Sequence, residues 1–149
     1  MEGEYGGLFT QNRGNDLKLA LYRGSDPDII SLGFVSDEMK FAVMASARAL
    51  ALFSQFESLS MIVLESMIMG RPVLVNGKCE VLKGHCVRSN AGLYFTSYTE
   101  FVGTLNYLLT HPTQYEVMSE NAVKYGVIAP EWLYRSLAAN VIMCGEHRL

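Results

Sequence analysis

Charged residues are scarce in this sequence, and neither sign of charge forms a stripe. Of the 149 residues, 18% are charged, and the formal net charge is −3. A protein that binds nucleic acid needs clustered lysine and arginine side chains to neutralise phosphates. No basic stripe of that kind is present, so nucleic acid is excluded as the expected partner.

Cysteine is rare, and long apolar runs are missing. Three cysteines are an odd number without a disulfide framework, which favours a reduced, cytoplasmic protein. Cys79, His85 and Cys86 lie close in sequence, but their spacing does not match a zinc site, so we expect no metal. No apolar run reaches about eighteen residues, and the first residues lack the layout of a secretory leader. We therefore expect no transmembrane segment.

Hydrophobic residues, in contrast, are abundant enough to build a sizeable core. They make up 50% of the chain, whose length suits one domain. Residues 1–15 are rich in glycine and lack periodicity, which predicts a flexible lead-in. Residues 16–149 are interpreted as a single domain.

Short apolar runs alternate with amphipathic segments along this domain. Strands are predicted over residues 16–22, 29–35, 49–53 and 72–75, and a turn followed by a short strand is predicted within 90–95. Helices are predicted over 36–47, within 58–69, before residue 86, over 99–109, and after Pro112 and Pro130. Ser36 is the expected N-cap of the first helix, and the apolar residues of 99–109, which include Leu108 and Leu109, are expected to pack as one stripe on the sheet. Strand–helix alternation indicates an α/β fold with a Rossmann-like parallel sheet flanked by helices in three layers. In such sheets ligands bind at the carboxyl ends of the strands, where Gly33, Ser54, Glu57 and Asn76 emerge.

The stretch SQFESLSMIVLESMIMGRPVLV, residues 54–75, is the most informative unit. A loop leads into a nearly all-apolar helix, Gly70 ends it, and Pro72 precedes the next strand. Glu57 lies in the loop and Glu65 inside the helix, so the helical path between them is at most about 12 Å. The expected helix N-terminus at residues 58–60 lies between the two carboxylates and suits a phosphate.

Several segments in order resemble one family. ESLSMIVLE and SMIMGRPVLVNGKCEVL, preceded by IISLGFVSDEMKFAVMASARALALFSQFE and followed by NAGLYFTSYTEFVGTLNYLL, resemble the C-terminal, donor-binding domain of retaining GT-B glycosyltransferases of family 4. The resemblance covers residues 17 to about 133. It implies the C-terminal half of a GT-B fold and glycosyl transfer with retention of configuration.

The resemblance also implies a donor site for a nucleotide-sugar. Glu65 would bind the ribose hydroxyls, and Glu57, the catalytic candidate, would face the sugar or its phosphate end. The remaining substrate-binding candidates are Ser58, Leu59 and Ser60 for the diphosphate, Gly33, Phe34 and Val35 for the base, and Asn76, Gly77 and Lys78 near the sugar. Helix dipole and cationic groups, rather than a divalent metal, would assist departure of the diphosphate.

The sequence departs from the family pattern at its N-terminal side, where we expect a truncation. No acceptor domain is recognised, and the family's diphosphate-binding Arg and Lys have no convincing match. We therefore expect that the chain alone is inactive and that it self-associates or depends on the missing acceptor domain. The alternative function is a non-catalytic module that kept the fold and lost donor binding. A receiver-type module is a weaker alternative, because Asp26 and Asp28 fall in a turn before a strand.

Individual residues have simpler interpretations as well. Glu65 could reach solvent or pair with Arg71, and Glu57 could be an ordinary acid near a helix N-terminus. Ser58 and Ser60 could cap the helix. Phe34 and Trp132 fit the core, while His85 and His111 fit a surface or a turn.

Overall fold

The computed structural model describes the backbone of residues 32–145 and the side chains of residues 32–129. Its helices are α1 (Asp37–Ser46), α2 (Met61–Ile68), α3 (Glu80–Ser89), α4 (Tyr98–Thr110) and α5 (Pro112–Gly145). Its strands are β1 (Leu50–Leu52), β2 (Val73–Asn76) and β3 (Gly92–Phe95). The lead-in over 1–15, the strand predicted over 16–22, Asp26, Asp28 and the side chain of Trp132 lie outside the described residues.

The three strands form a parallel sheet in the order β1-β2-β3. In its register, Leu50 pairs with Val73 and Leu74 pairs with Leu93. Each strand is a short apolar run. Helices α2 and α3 return the chain from the carboxyl end of one strand to the amino end of the next, as parallel pairing requires. The predicted α/β, Rossmann-like fold with flanking helices is therefore confirmed.

Side chains alternate between the two faces of the sheet, as the pleat requires. One cluster, on the α2–α3 face, contains Leu50, Leu52, Val63, Met67, Val73, Val75, Cys79, Leu82, Cys86, Ala91 and Ala122. The other, on the α4 face, contains Leu74, Phe95, Leu108, Tyr115 and Met118, with Phe53, Phe101 and Leu105 packed beside them. Helix α5 contributes to both clusters.

Two helix boundaries follow local sequence signals closely. Ser36 caps α1, since its hydroxyl accepts a hydrogen bond from the Met39 amide at 3.2 Å. Gly70 ends α2 with φ +71°, a left-handed conformation that glycine adopts without steric cost. Ser119 on α5 donates a 2.6 Å hydrogen bond to the Gly70 carbonyl, so the same turn anchors the two helices together. The predicted cap and the predicted stop are confirmed.

Three predicted boundaries are wrong. Residues 32–35 are not a strand, since they form a loop before α1. Helix α2 begins at Met61 and not within 58–60, because Ser60 takes a left-handed conformation. Helix α5 continues through Pro130. A proline removes one backbone hydrogen bond, and the buried Ala129 and Gly126 hold the preceding turns in the core.

The predicted apolar stripe of α4 is also only partly correct. Leu108 is buried, but the side chain of Leu109 is 54% exposed. No helix among the described residues combines the length and the apolar character needed to cross a bilayer.

Candidate functional site

An open cleft of about 510 Å³ lies at the carboxyl ends of β1 and β2. Its walls are residues 55–58, in the loop after β1, and residues 78–81, where the loop after β2 leads into α3. Because β1 and β2 are parallel neighbours, the loops that follow them meet at one edge of the sheet. The structure thus brings together the predicted site residues Glu57, Ser58 and Lys78 on one cleft.

Ser54 shapes the first wall of this cleft. Its hydroxyl donates to the Phe56 carbonyl at 3.0 Å and accepts from the Phe56 amide at 3.4 Å, a local turn directly after β1. The turn leaves the Phe56 side chain exposed. It also directs the chain towards Glu57 on the cleft wall.

Ser60 joins the cleft loop to α2 in an unusual conformation. Its φ and ψ are 58° and 71°, and its side chain makes no capping hydrogen bond. The hydroxyl is buried and has no hydrogen-bond partner. The amides of Val63 and Leu64 both donate to the Ser60 carbonyl, at 3.0 and 3.4 Å. The first amides of α2, those of Met61 and Ile62, therefore precede the first intrahelical bond and point out of the helix N-terminus.

Asn76 and Gly77 hold the second wall in place. The Asn76 side chain donates to the Phe53 carbonyl and accepts from the Lys78 amide, both at 3.0 Å. The Gly77 amide donates to the Phe95 carbonyl at 2.8 Å. A Cβ at Gly77 would lie 3.0 Å from a ring carbon of Tyr94, so the loop packs tightly on the end of β3. Of the three residues predicted here, Lys78 alone lines the cleft.

Glu65 lies within α2, away from the cleft lining, and forms an ion pair. Its two carboxylate oxygens are 3.2 and 3.1 Å from the Lys40 ammonium, which also lies 3.3 Å from Asp37. Burial lowers the pKa of Lys40, but the hydrogen bonds with Glu65 and Asp37 outweigh burial and raise this pKa. The pairing with Arg71 that the sequence left open is not formed, because Arg71 donates to the Ala45 carbonyl instead.

Gly33, Phe34 and Val35 precede α1 and do not line the cleft. Gly33 has φ +60°, which explains a glycine at that position. The Phe34 side chain is 84% exposed, so the expectation that it belongs to the core is wrong.

His85 is the residue that sequence reasoning missed. Its side chain is 3% exposed and bonds to the Leu59 carbonyl and the Tyr125 hydroxyl, so the surface or turn assignment is wrong. Burial lowers the pKa of His85, and the nearby Arg88 charge lowers it further, against the Leu59 hydrogen bond. A signal existed in the sequence. His85 lies three positions after Leu82 and beside Cys86, on the buried stripe of α3.

The cysteines near His85 are buried thiols. Cys79 and Cys86 are both free, and burial raises the pKa of Cys86 to about 12. Among the residues that the structure describes, no three His, Cys, Asp or Glu side chains are grouped so that they could hold a metal ion.

Comparison with known proteins identifies the family. A family model described as glycosyl transferases group 1 matches residues 7–111, which include the cleft and every strand of the described sheet. No curated protein and no solved structure matches the chain. The matched region spans more than half of the sequence and contains both carboxylates of the Glu57–Glu65 pattern. The chain therefore belongs to the group 1 glycosyl transferases.

Proposed function

We propose that this chain is the nucleotide-sugar donor-binding domain of a retaining glycosyltransferase of the GT-B, family 4 type. One observation carries the proposal: Glu57, Ser58 and Lys78 share the cleft at the carboxyl ends of β1 and β2, next to the start of α2. A cation and a carboxylate on one cleft suit a ligand with an anionic end and a hydroxyl-rich end.

The anionic end, a diphosphate, finds three kinds of donor here. Lys78 supplies a full positive charge on the cleft wall. The outward amides at the start of α2 add hydrogen-bond donors and the positive end of a helix dipole. Ser58, which lines the cleft and is exposed, adds a hydroxyl. These groups would stabilise the diphosphate as the bond from the sugar to its oxygen breaks, which is where negative charge develops.

The hydroxyl-rich ends of the donor would meet the two carboxylates. Glu57 lies on the cleft and would accept from the sugar. Glu65 would accept from the ribose hydroxyls, since a carboxylate has about four acceptor positions and Lys40 occupies part of them. The Lys40 ion pair would fix the direction of the carboxylate. The new glycosidic bond would form with the configuration that the donor bond had.

The alternative, a module that kept the fold and lost donor binding, has one observation in its favour. Both oxygens of Glu65 lie within hydrogen-bond distance of Lys40. In that interpretation the ion pair is structural, and the carboxylate holds α1 against α2 rather than a ligand. The two functions differ in whether a nucleotide-sugar stabilises the fold.

Thermal melting with UDP-, GDP- and ADP-sugars distinguishes the two functions. A donor at one hundred times its dissociation constant should stabilise the fold by about 2.7 kcal/mol, which raises the melting midpoint by several degrees. The variant Glu65→Gln keeps the shape of the side chain and removes its charge. Glu120→Gln is the matched control. Glu120 is also a helix carboxylate paired with a lysine, Lys124, but that pair is exposed and its N–O distance is 4.0 Å.

The proposal predicts a midpoint shift with one nucleotide, reduced in Glu65→Gln and unchanged in Glu120→Gln. The shift is compared with and without ligand for each variant, so a change in basal stability does not affect the result. Absence of a shift with every nucleotide-sugar would refute the donor-binding function and favour the alternative.

A further inference from the structure

A chain of hydrogen bonds runs from α5 through α3 to the loop of the cleft. Arg88 Nε donates to the Tyr125 hydroxyl at 3.2 Å, and that hydroxyl lies 3.1 Å from His85 Nδ1. His85 Nε2 lies 3.0 Å from the Leu59 carbonyl oxygen. The imidazole is buried and also packs edge-on against the Tyr125 ring, with 5.9 Å between centroids. Three separate elements therefore meet at one side chain.

The partners determine where each proton lies. A carbonyl oxygen only accepts, so His85 Nε2 carries a hydrogen and donates it to Leu59. The arginine Nε only donates, so the Tyr125 oxygen accepts from Arg88 and gives its own proton to His85 Nδ1. Each of the three bonds then has one donor and one acceptor, and the imidazole is neutral. A second proton on Nδ1 would displace the tyrosine proton and place a cation beside Arg88.

The Leu59 carbonyl, the last acceptor in this chain of hydrogen bonds, lies where the cleft loop turns into α2. Leu59 immediately precedes Ser60, whose left-handed conformation is one that residues with a Cβ rarely adopt. The Ser60 hydroxyl does not secure that conformation, since it has no hydrogen-bond partner. The bond from His85 to the Leu59 carbonyl is thus a side-chain restraint on the turn that leads into α2.

We propose that His85 is a positioning residue of the donor site: through the Leu59 carbonyl it fixes the turn over residues 57–60 and so directs the first amides of α2 towards the cleft. The role in ligand binding rests on the proposed function above. The restraint on the turn does not, and it can be measured without any ligand. Tyr125 and Arg88 act on the turn only through the orientation that they give to the imidazole.

Two isosteric amides separate this role from simple packing. The amide nitrogen of glutamine can take the place of His85 Nε2, so His85→Gln retains a donor for Leu59. The amide group of asparagine lies at the position of His85 Nδ1. His85→Asn can therefore still form a hydrogen bond with the Tyr125 hydroxyl, but it leaves the Leu59 carbonyl without its donor. If His85 only filled space, the larger glutamine and the smaller asparagine would differ in stability alone. His111→Gln and His111→Asn are the controls, since His111 is exposed at the start of α5.

Backbone amide exchange and chemical shifts of residues 57–62 test the restraint directly. We expect amide exchange in His85→Asn to be faster by about tenfold, the equivalent of one lost hydrogen bond. In His85→Gln and both His111 variants we expect rates close to those of the unaltered chain. Nitrogen-15 shifts of the imidazole should show a protonated Nε2 and an unprotonated Nδ1. Unchanged amides in His85→Asn would overturn the inference.

Binding of UDP, GDP and ADP, measured well below every melting midpoint, tests the consequence for the site. The nucleotide that binds the unaltered chain should bind His85→Asn about tenfold more weakly and His85→Gln with nearly the same affinity. If no nucleotide binds the unaltered chain, the donor-binding function fails, while the exchange data still decide whether His85 restrains the turn. Equal affinity of both variants for a nucleotide that does bind would overturn the positioning role.

Discussion

The two faces of the sheet are built differently. The α2–α3 face is aliphatic and closed, with Val63, Met67 and Leu82 entirely buried against β1 and β2. The α4 face is aromatic, and much of it is only half-buried. There Phe53, Phe95 and Phe101 form a triad of tilted and edge-on rings with centroids 5.0–5.3 Å apart.

The candidate site depends on the closed face. The loop that leads into α2 forms one wall of the cleft, and the start of α3 contributes to the other wall. Helix α3 also carries His85, which bonds to the Leu59 carbonyl of that loop. The phosphate-binding role that we propose for the start of α2 requires this helix terminus to be held within a fraction of an ångström, which close-packed aliphatic contacts favour. The aromatic face tolerates exposure because its rings tie α4 to the sheet without defining the cleft. Substitutions on the two faces should therefore have different consequences.

The largest difference is expected for truncation of core side chains. Met67→Ala on the closed face should reduce the free energy of unfolding by about 2–5 kcal/mol, because a fully buried side chain leaves a cavity. Leu105→Ala on the aromatic face should cost clearly less, since Leu105 is half-buried and water can replace it. Urea denaturation of both variants measures the difference. Equal losses would show that the two faces are equally close-packed.

Two helical glycines offer a comparison of opposite sign. A Cβ at Gly126 on α5 would lie 2.7 Å from the Ile68 amide nitrogen, so Gly126→Ala should cost about 1–3 kcal/mol by forcing α5 away from α2. A Cβ at Gly103 on α4 would meet nothing within 4 Å. Gly103→Ala should therefore stabilise the fold by about 0.5–1 kcal/mol through helix propensity. Melting midpoints that move in the same direction would contradict this contrast.

Signals that act within a few residues were readable from the sequence. The cap at Ser36, the stop at Gly70 and the apolar runs of β1 and β2 depend on local backbone chemistry, and their predictions are confirmed. The carboxyl edge of the sheet could also be inferred, because strand–helix alternation implies parallel strands. This placed Glu57 correctly next to the cleft.

Features that depend on distant partners were not readable. Lys40 and Glu65 are 25 positions apart in the sequence, and His85 and Tyr125 are 40 positions apart, so no local pattern predicts either pair. The prediction that a new helix starts after Pro130 failed for the same reason, because tertiary packing of the preceding turns outweighs a local helix breaker. The left-handed Ser60 shifted the start of α2 because its conformation is set by the turn around it and not by serine's own preference.

The smallest expected effect is on the pH dependence of the unfolding free energy, to which the two faces should contribute in different pH ranges. On the closed face the folded pKa of His85 lies below its usual 6.5 through burial, opposed by the Leu59 hydrogen bond and aided by Arg88. Below about pH 6.5 the unfolded chain therefore binds more protons than the folded chain. The contribution of the neutral His85 to stability is fully present above about pH 6.5 and decreases as the pH falls towards the lowered pKa. On the other side of the sheet, hydrogen bonds from Thr96 lower the pKa of Glu100 below 4.5, so its contribution is lost only at more acidic pH.

Unfolding free energies measured by urea denaturation from pH 8 to pH 3 resolve these two windows. For the buried His85, one proton gives a slope of at most about 1.4 kcal/mol per pH unit. His85→Gln should remove the slope that begins near pH 6.5, and Glu100→Gln should weaken the slope below about pH 4.5 without altering the first. Since slopes are compared, the basal cost of each substitution does not enter. A slope near pH 6 that persists in His85→Gln would mean that a group other than His85 takes up the proton.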